Sequence, residues 1–270
     1  MVDLMTTPLL ANALQFAFEK ATTEGKVTIT MLVIVSLFSW TVIIRKARQL
    51  YLARKWTKRF FSAYRATRDP LDLYRKQEDY TGSPAFEVYF TGAEELDYHL
   101  KNNPVNVKGR TKISQASFES VKVALERAVS AQALSLEKGM IILSTAVAGG
   151  PFIGLLGTVW GVMETFSGIA KVQAASLIAM APGVAGALIA TVVGLFVAIP
   201  AMFAYNYMVT TIRAITQELD NYVTEYATAI EHSYVDTRPV SEEIADALSK
   251  LKLREGEGEN ARETLTTHSV

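Results

Sequence analysis

The sequence predicts an all-α membrane protein with three transmembrane helices and long cytoplasmic helical extensions. Two observations support this prediction. Three uncharged apolar runs approach or exceed the roughly 20 residues that a helix needs to cross about 30 Å of hydrocarbon. Outside these runs, apolar residues recur at spacings of three and four, which is the period of an amphipathic helix. We therefore expect helices both inside and outside the membrane.

The three apolar runs contain no Asp, Glu, Lys, Arg or His. The first is slightly short, but Trp40 stands near one end, where aromatic side chains favour the membrane interface. The alternative, buried helices of a soluble protein, is disfavoured because three such runs occur in one chain. The transmembrane helices are predicted at residues 27–44, 140–163 and 184–209.

The distribution of charge predicts the orientation of these helices. Residues 45–68 contain nine basic residues and no acidic residue. Because basic residues accumulate on the cytoplasmic side, the N-terminus is expected outside and the C-terminus inside. A lipid- or nucleic-acid-binding patch is the alternative for this basic stretch. The expected segments are a periplasmic N-terminal segment 1–26, a cytoplasmic helical region 45–139, a short periplasmic connection 164–183, a cytoplasmic helical extension 210–235 and a partly disordered cytoplasmic tail 236–270.

The cytoplasmic parts are predicted to be helical. Two pairs, Asp69-Pro70 and Ser83-Pro84, are each typical of a helix N-cap with proline at the first helical position. A further helix is expected from Arg110 onward, running directly into the second span. Beyond Pro239, a short helix is expected from Ser241 to about Leu253.

A long helix is predicted to contain the third span and its cytoplasmic extension. Together they would form one helix of about 50 residues, or roughly 75 Å at 1.5 Å per residue. Much of that length lies beyond the hydrocarbon, so it requires a packed face. An apolar stripe at alternating steps of three and four provides one, and it consists of Met208, Ile212, Ile215, Leu219, Tyr222, Tyr226 and Ile230.

The second and third spans are rich in small residues, whereas the first resembles a simple lipid-facing anchor. Glycine at every third or fourth position allows close approach of helix backbones, so we expect these faces to pack subunits together. The alternative is that glycine is merely common in membrane helices. Two prolines should kink the helices. The predicted packing residues are Gly150, Gly154, Gly157, Gly161, Gly186 and Gly194, and the kinks are expected at Pro151 and Pro200.

Three threonines, Thr145, Thr158 and Thr191, lie within these two spans. A threonine in a membrane helix often bonds back to the carbonyl one turn earlier, which gives it a purely structural role. Alternatively, the hydroxyls line a lumen, where they hold water or meet a polar group of a partner. Since no residue of the spans can titrate, any proton transport must use a group from another chain.

Two long motifs carry a family resemblance. GLLGTVWGVMETF (154–166) and APGVAGALIATVVGLFVAIPAMFAYN (181–206) resemble the ExbB/TolQ branch of the MotA/TolQ/ExbB proton channel family. The match covers roughly 143–206, about a quarter of the chain. Where relatives carry glutamate in this second motif, the present chain has Gly186, so the route by which protons arrive is in doubt.

The resemblance implies a homopentameric ring in the bacterial inner membrane, in contact with lipid, around two single-span ExbD/TolR-like helices. Each partner helix would supply a titratable aspartate. The family's pore threonines fall on Thr158 and Thr191, with Thr145 as a third. The implied function is a proton-driven motor or channel subunit that supports transport or envelope maintenance.

Other functions are less well supported by the sequence. A flagellar stator subunit of the MotA type would be expected to have four spans, and a non-conducting scaffold ring is a further alternative. No catalytic constellation, metal-ligand spacing or cysteine is found, so we expect no enzyme, cofactor or metal site. A net charge of zero argues against a nucleic-acid partner.

Overall fold

The computed structural model describes residues 23–107, 109–172, 177–236 and 238, and the fold they form is dominated by long helices. The expected N-terminal segment up to residue 22, and the tail with its expected helix Ser241–Leu253, lie outside the described residues. The elements are α1 Thr23–Tyr64, α2 Asp72–Arg75, α3 Pro84–Asn102, β1 Val105–Val107, β2 Arg110–Lys112, α4 Gln115–Glu137, α5 Met140–Val172 and α6 Leu177–Tyr234.

Three of these helices, α1, α5 and α6, are long and apolar enough to cross a membrane, which confirms the three predicted spans. The helix α6 has 58 residues, so it is about 87 Å long. The third span and its extension therefore form one helix, as predicted. Both α5 and α6 also continue into the connection expected at 164–183, where only 173–176 lie outside the described part.

A small β-hairpin corrects the all-α prediction. Strands β1 and β2 are antiparallel, with Val105 opposite Lys112, and Gly109 has a φ of +79° in the turn. The helix expected from Arg110 begins instead at Gln115, where the Ser114 hydroxyl accepts a hydrogen bond from the backbone N–H of Ser117. Three-residue strands are too short to show a period, which is why the sequence pattern missed them.

A second correction concerns the junction of α4 and α5. The helix does not run directly into the second span, because the chain turns at Gly139, which has a φ of +88°.

Lys46 of α1 is buried beside this junction. Its Nζ donates to the Leu136 carbonyl at 2.7 Å and to Gln49 Oε1 at 2.8 Å. A cation on the last carbonyls of a helix stabilises that helix end, so Lys46 fixes the turn against α1.

Replacing Lys46 by Met is expected to lower the free energy of unfolding by about 1–3 kcal/mol, because the buried Leu136 carbonyl loses its donor. Amide hydrogen exchange should accelerate around Gly139. Lys58→Met is the matched control, since Lys58 lies on the same helix with an exposed side chain. Equal unfolding energies for the two variants would contradict the role assigned to Lys46.

The core outside the membrane is built from α1, α3, α4 and α6. The apolar stripe predicted on α6, from Met208 to Ile230, is buried along its whole length. The N-cap predicted at Ser83 is confirmed, because the Ser83 hydroxyl accepts from the Phe86 N–H and Pro84 occupies the first turn. The N-cap predicted at Asp69 is wrong, because α2 begins at Asp72 with Leu71 at its N-cap. The long α6 therefore couples the membrane helices to this core as one continuous rod.

Candidate functional site

The close contact of α5 and α6 is made by glycines whose Cα positions lie against the opposite backbone. A Cβ placed on Gly154 would be 2.8 Å from the Ala190 carbonyl oxygen and 2.9 Å from the Thr191 Cα. A Cβ on Gly194 would be 2.5 Å from the Gly150 carbonyl oxygen. No side chain fits at such separations, so these positions require glycine if the two helices are to keep this distance.

The remaining predicted glycines extend the same contact toward the other end of the helices. A Cβ on Gly161 would be 2.8 Å from the Ala187 Cβ. A Cβ on Gly157 would be 2.7 Å from both the Ala190 Cβ and the Thr28 Oγ1 of α1. Gly186 is buried. The contacts of Gly150, Gly154, Gly157, Gly161 and Gly194 described here are made within one protomer. The expectation that these faces join subunits stays a prediction.

Thr158 of α5 and Thr191 of α6 meet at the centre of this tight contact. Their hydroxyl oxygens are hydrogen-bonded to each other. The Thr158 hydroxyl also lies 3.1 Å from the Gly154 carbonyl oxygen and 3.3 Å from that of Ala187. The Thr191 hydroxyl lies 3.2 Å from the Gly154 carbonyl oxygen.

This threonine pair can change its hydrogen bonds without moving a helix. Each hydroxyl has one proton to donate and two lone pairs that accept, so the two protons are shared among more than two acceptors. Both side chains are partly exposed, and the spans around them contain no Asp, Glu, Lys, Arg or His. The pair is therefore a polar site in an apolar wall, able to hold water or meet a polar group.

The structure does not bring Thr145 to the other two threonines. Thr145 lies on α5 about 140° around the helix axis from Thr158, at 100° per residue. It lines an apolar groove with Val35 and Phe38 of α1. Pro151 and Pro200 both lie inside continuous helices, and the kinks expected there stay predictions.

Sequence reasoning missed the contribution of α1, which was expected to be a lipid-facing anchor. Thr28 is buried, donates to the Gly25 carbonyl at 2.9 Å and touches Gly157. Leu32 is fully buried and Ser39 nearly so, on the same side of α1. The small polar residues Thr28 and Ser39, placed among large apolar ones, were the signal that this face packs on α5 and α6.

Comparison with known proteins identifies the family. The sequence model of the MotA/TolQ/ExbB proton channel family matches residues 94–221, a range that includes both paired threonines. The Tol-Pal system protein TolQ of Haemophilus influenzae is 33% identical over 226 residues, covering 82% of this chain and 95% of that protein. The chain belongs to the MotA/TolQ/ExbB proton channel family.

Relatives of two names resemble this member of the family to a similar degree. The TolQ protein of Pseudomonas aeruginosa is 35% identical over 177 residues, which is 65% of this chain and 74% of that protein. The biopolymer transport protein ExbB of Xanthomonas campestris is 34% identical over 207 residues, covering 72% and 80% respectively. Family membership and three apolar helices together indicate an inner-membrane protein linked to proton transport, and this family is not a class of enzymes.

Proposed function

We propose that this chain is the ring-forming channel or stator subunit of a motor driven by the proton motive force. In this proposal, several copies surround single-span helices of the ExbD/TolR type, and the Thr158–Thr191 pair faces the lumen. Five copies are expected from the family resemblance. The ring would couple proton flow to periplasmic or outer-membrane work, such as transport or envelope maintenance.

The observation that carries the proposal is the threonine pair in spans that contain no Asp, Glu, Lys, Arg or His. A hydroxyl can donate to a carboxylate or accept from a carboxylic acid, so the pair can meet either protonation state of a partner aspartate. The two states differ in charge, and a polar contact surrounded by apolar side chains discriminates between them more strongly than bulk water does.

The energy released by one proton crossing the membrane is comparable to that of one hydrogen bond between a partner helix and a threonine pair. One elementary charge crossing 100 mV releases about 2.3 kcal/mol. A hydrogen bond to a charged group contributes about 1.5–3 kcal/mol. Passage of a single proton could therefore offset the loss of one such contact as a partner helix moves from one threonine pair to the next.

The proposed orientation follows the basic stretch 45–68, which places the N-terminus in the periplasm and the C-terminus in the cytoplasm. The core formed by α3, α4 and the end of α6 would then lie in the cytoplasm. Gly186 stands where relatives carry glutamate, so protons would reach the partner's aspartate without a carboxylate from this position.

The proposal is tested by proton uptake into liposomes that contain the chain and its single-span partner. Thr158→Val and Thr191→Val keep the shape of the side chain and remove the hydroxyl. Each is expected to reduce proton flux at least tenfold while assembly remains intact. Thr41→Val is the matched control, because Thr41 lies on α1 and donates to the Leu37 carbonyl on its own helix.

Flux that is unchanged in both variants would remove the threonine pair from the pathway. A wild-type complex that assembles but conducts no protons would instead favour the non-conducting scaffold. Equal losses in the Thr41→Val control and the two variants would show that the effect is a general destabilisation of the membrane helices.

A further inference from the structure

A groove of about 710 Å³ lies between α3 and the segment 73–81, away from the membrane-helix contact. Its apolar surface includes Leu73, Tyr74, Phe86 and Phe90. The rings of Tyr74 and Phe90 lie 5.4 Å apart, and Phe90 is 42% exposed. This volume is typical of sites that bind a ligand or several side chains of a partner segment.

Four carboxylates of the described residues line the same groove, and they belong to Glu78, Asp79, Glu87 and Asp97. The Asp79 carboxylate accepts hydrogen bonds from the hydroxyl and the backbone N–H of Thr81. These bonds hold the pKa of Asp79 below its usual range, so it stays charged in mildly acidic solution. The groove thus combines an aromatic surface with fixed negative charge.

The two cations that line the groove are already engaged. Arg75 is ion-paired with Asp69 at 2.8 Å, and Lys101 is ion-paired with Asp97 at 2.6 Å. Both therefore pair with carboxylates other than Glu78, Asp79 and Glu87. An occupant of this groove should be apolar on one face and should bring its own positive charges.

The end of α6 lies beside this groove. The hydroxyl of Tyr234 donates to Asp69 Oδ1 at 2.7 Å, and the other oxygen of Asp69 binds Arg75, a residue of the groove. After Tyr234 the chain continues through Val235 and Asp236, which pair with the backbone of Ile113. An extended chain spans at most about 3.5 Å per residue, so the eight residues that follow Asp236, 237–244, reach about 28 Å.

The segment that follows has the required chemistry. Residues 241–254 read SEEIADALSKLKLR and lie outside the described residues. Ile244, Leu248 and Leu251 are spaced by four and three, which places them on one face if the segment is helical. Its positive charges lie together at one end and are Lys250, Lys252 and Arg254.

We propose that residues 241–254 dock into this groove of their own chain. The apolar face packs on Phe90 and Tyr74, and the basic end lies against the carboxylates of Glu78, Asp79 and Glu87. The proposal commits to this segment because its attachment, reach and charge all match the groove. It is independent of the threonine pair and of proton transport.

The chain contains no cysteine, so an introduced pair of cysteines is free of competing thiols. In the full-length protein, Phe90→Cys with Leu251→Cys should form an intrachain disulfide in high yield on mild oxidation. A cysteine is itself a small apolar side chain and preserves part of the contact. The product is measured as a cross-linked peptide by mass spectrometry, together with monomeric migration on a non-reducing gel.

Val123→Cys with Leu251→Cys is the control pair. Val123 is 57% exposed on α4 and is not a groove residue. The disulfide yield of this control pair should be at least tenfold lower than that of the Phe90/Leu251 pair. Similar yields for the two pairs would mean that the segment only diffuses over the surface, and a disulfide-linked dimer would place the tail of a second copy in the groove. Either result overturns the proposal.

Charge reversal tests the electrostatic half of the proposal. In the Phe90/Leu251 cysteine background, changing the three basic residues to Glu should lower the disulfide yield several-fold. Changing Glu78, Asp79 and Glu87 to Lys in addition should restore the yield. Raising the salt concentration from 0.1 M to 1 M shortens the screening length from about 10 Å to 3 Å and should also lower the yield. A disulfide yield that is unchanged by charge reversal and by salt would contradict the docking. The basic residues are Lys250, Lys252 and Arg254, and the carboxylates are Glu78, Asp79 and Glu87.

Discussion

Phe60→Ala is expected to lower the free energy of unfolding by about 3–5 kcal/mol, the usual cost of truncating a fully buried aromatic side chain. Phe60 is 0% exposed and occupies the centre of the core outside the membrane. Its ring lies 5.5 Å from that of Tyr89 on α3 and 5.7 Å from that of Tyr222 on α6. The substitution therefore removes one of the two aromatic side chains of α1, Phe60 and Tyr64, that contact both α3 and α6.

The loss can be measured by denaturant unfolding in detergent, followed by circular dichroism. Hydrogen exchange should show the largest increase in α3, which depends on this cluster for its attachment. Tyr98→Ala is the control, because Tyr98 lies on α3 and is 56% exposed, and its effect should stay within about 0.5 kcal/mol. A Phe60→Ala loss as small as that of the control would show that the cluster contributes little to stability.

The role of Phe60 also marks a limit of the sequence prediction. The apolar stripe of α6 shows the regular spacing of a buried helix face, so Tyr222 and Tyr226 could be predicted as core residues. Phe60 lies within the basic stretch 45–68, which was interpreted as an orientation signal for the membrane. That it packs on α6 depends on a contact between residues far apart in the chain, and local spacing carries no information about such pairings.

The same distinction applies to the helices themselves. Three membrane spans could be predicted, because apolar length alone determines them. The ends of the helices that contain these spans could not be predicted, since α1 continues through its basic stretch without a breaking residue and stops only at Tyr64. The turn at Gly139 depends on a single positive φ, and the hairpin at Val105–Val107 is too short for a periodic signal.

For the candidate site, the residue types could be predicted and their arrangement could not. Thr158 and Thr191 are 33 residues apart in the sequence, and the family resemblance named both. Their hydrogen bond depends on the register of α5 against α6, which the glycines set by close contact. Thr145 shares the residue type but faces α1, because register and rotation decide which hydroxyls meet.

Gly154→Ala is expected to destabilise the protein and to impair the threonine site at the same time. The new Cβ would meet the Ala190 carbonyl oxygen at 2.8 Å and the Thr191 Cα at 2.9 Å, so the two helices must separate. Overpacking of this kind costs about 1–3 kcal/mol. The Gly154 carbonyl is also an acceptor for both threonine hydroxyls, so the separation should disturb that pair.

Gly149→Ala provides a control with the opposite expected sign. Nothing lies within 4 Å of a Cβ at Gly149, and this residue is on the same helix. Alanine there should leave stability unchanged or raise it by up to about 1 kcal/mol, through its better helix propensity. Unfolding in detergent measures both variants, and proton uptake in liposomes measures the function.

The two readouts separate the packing role of Gly154 from a role in conduction. Gly154→Ala should lose stability and flux together, whereas Thr158→Val should lose flux with little loss of stability. If Gly154→Ala were as stable and as active as the wild type, α5 and α6 could not approach each other as closely as their glycines allow. The register that brings the two threonines together would then need another cause.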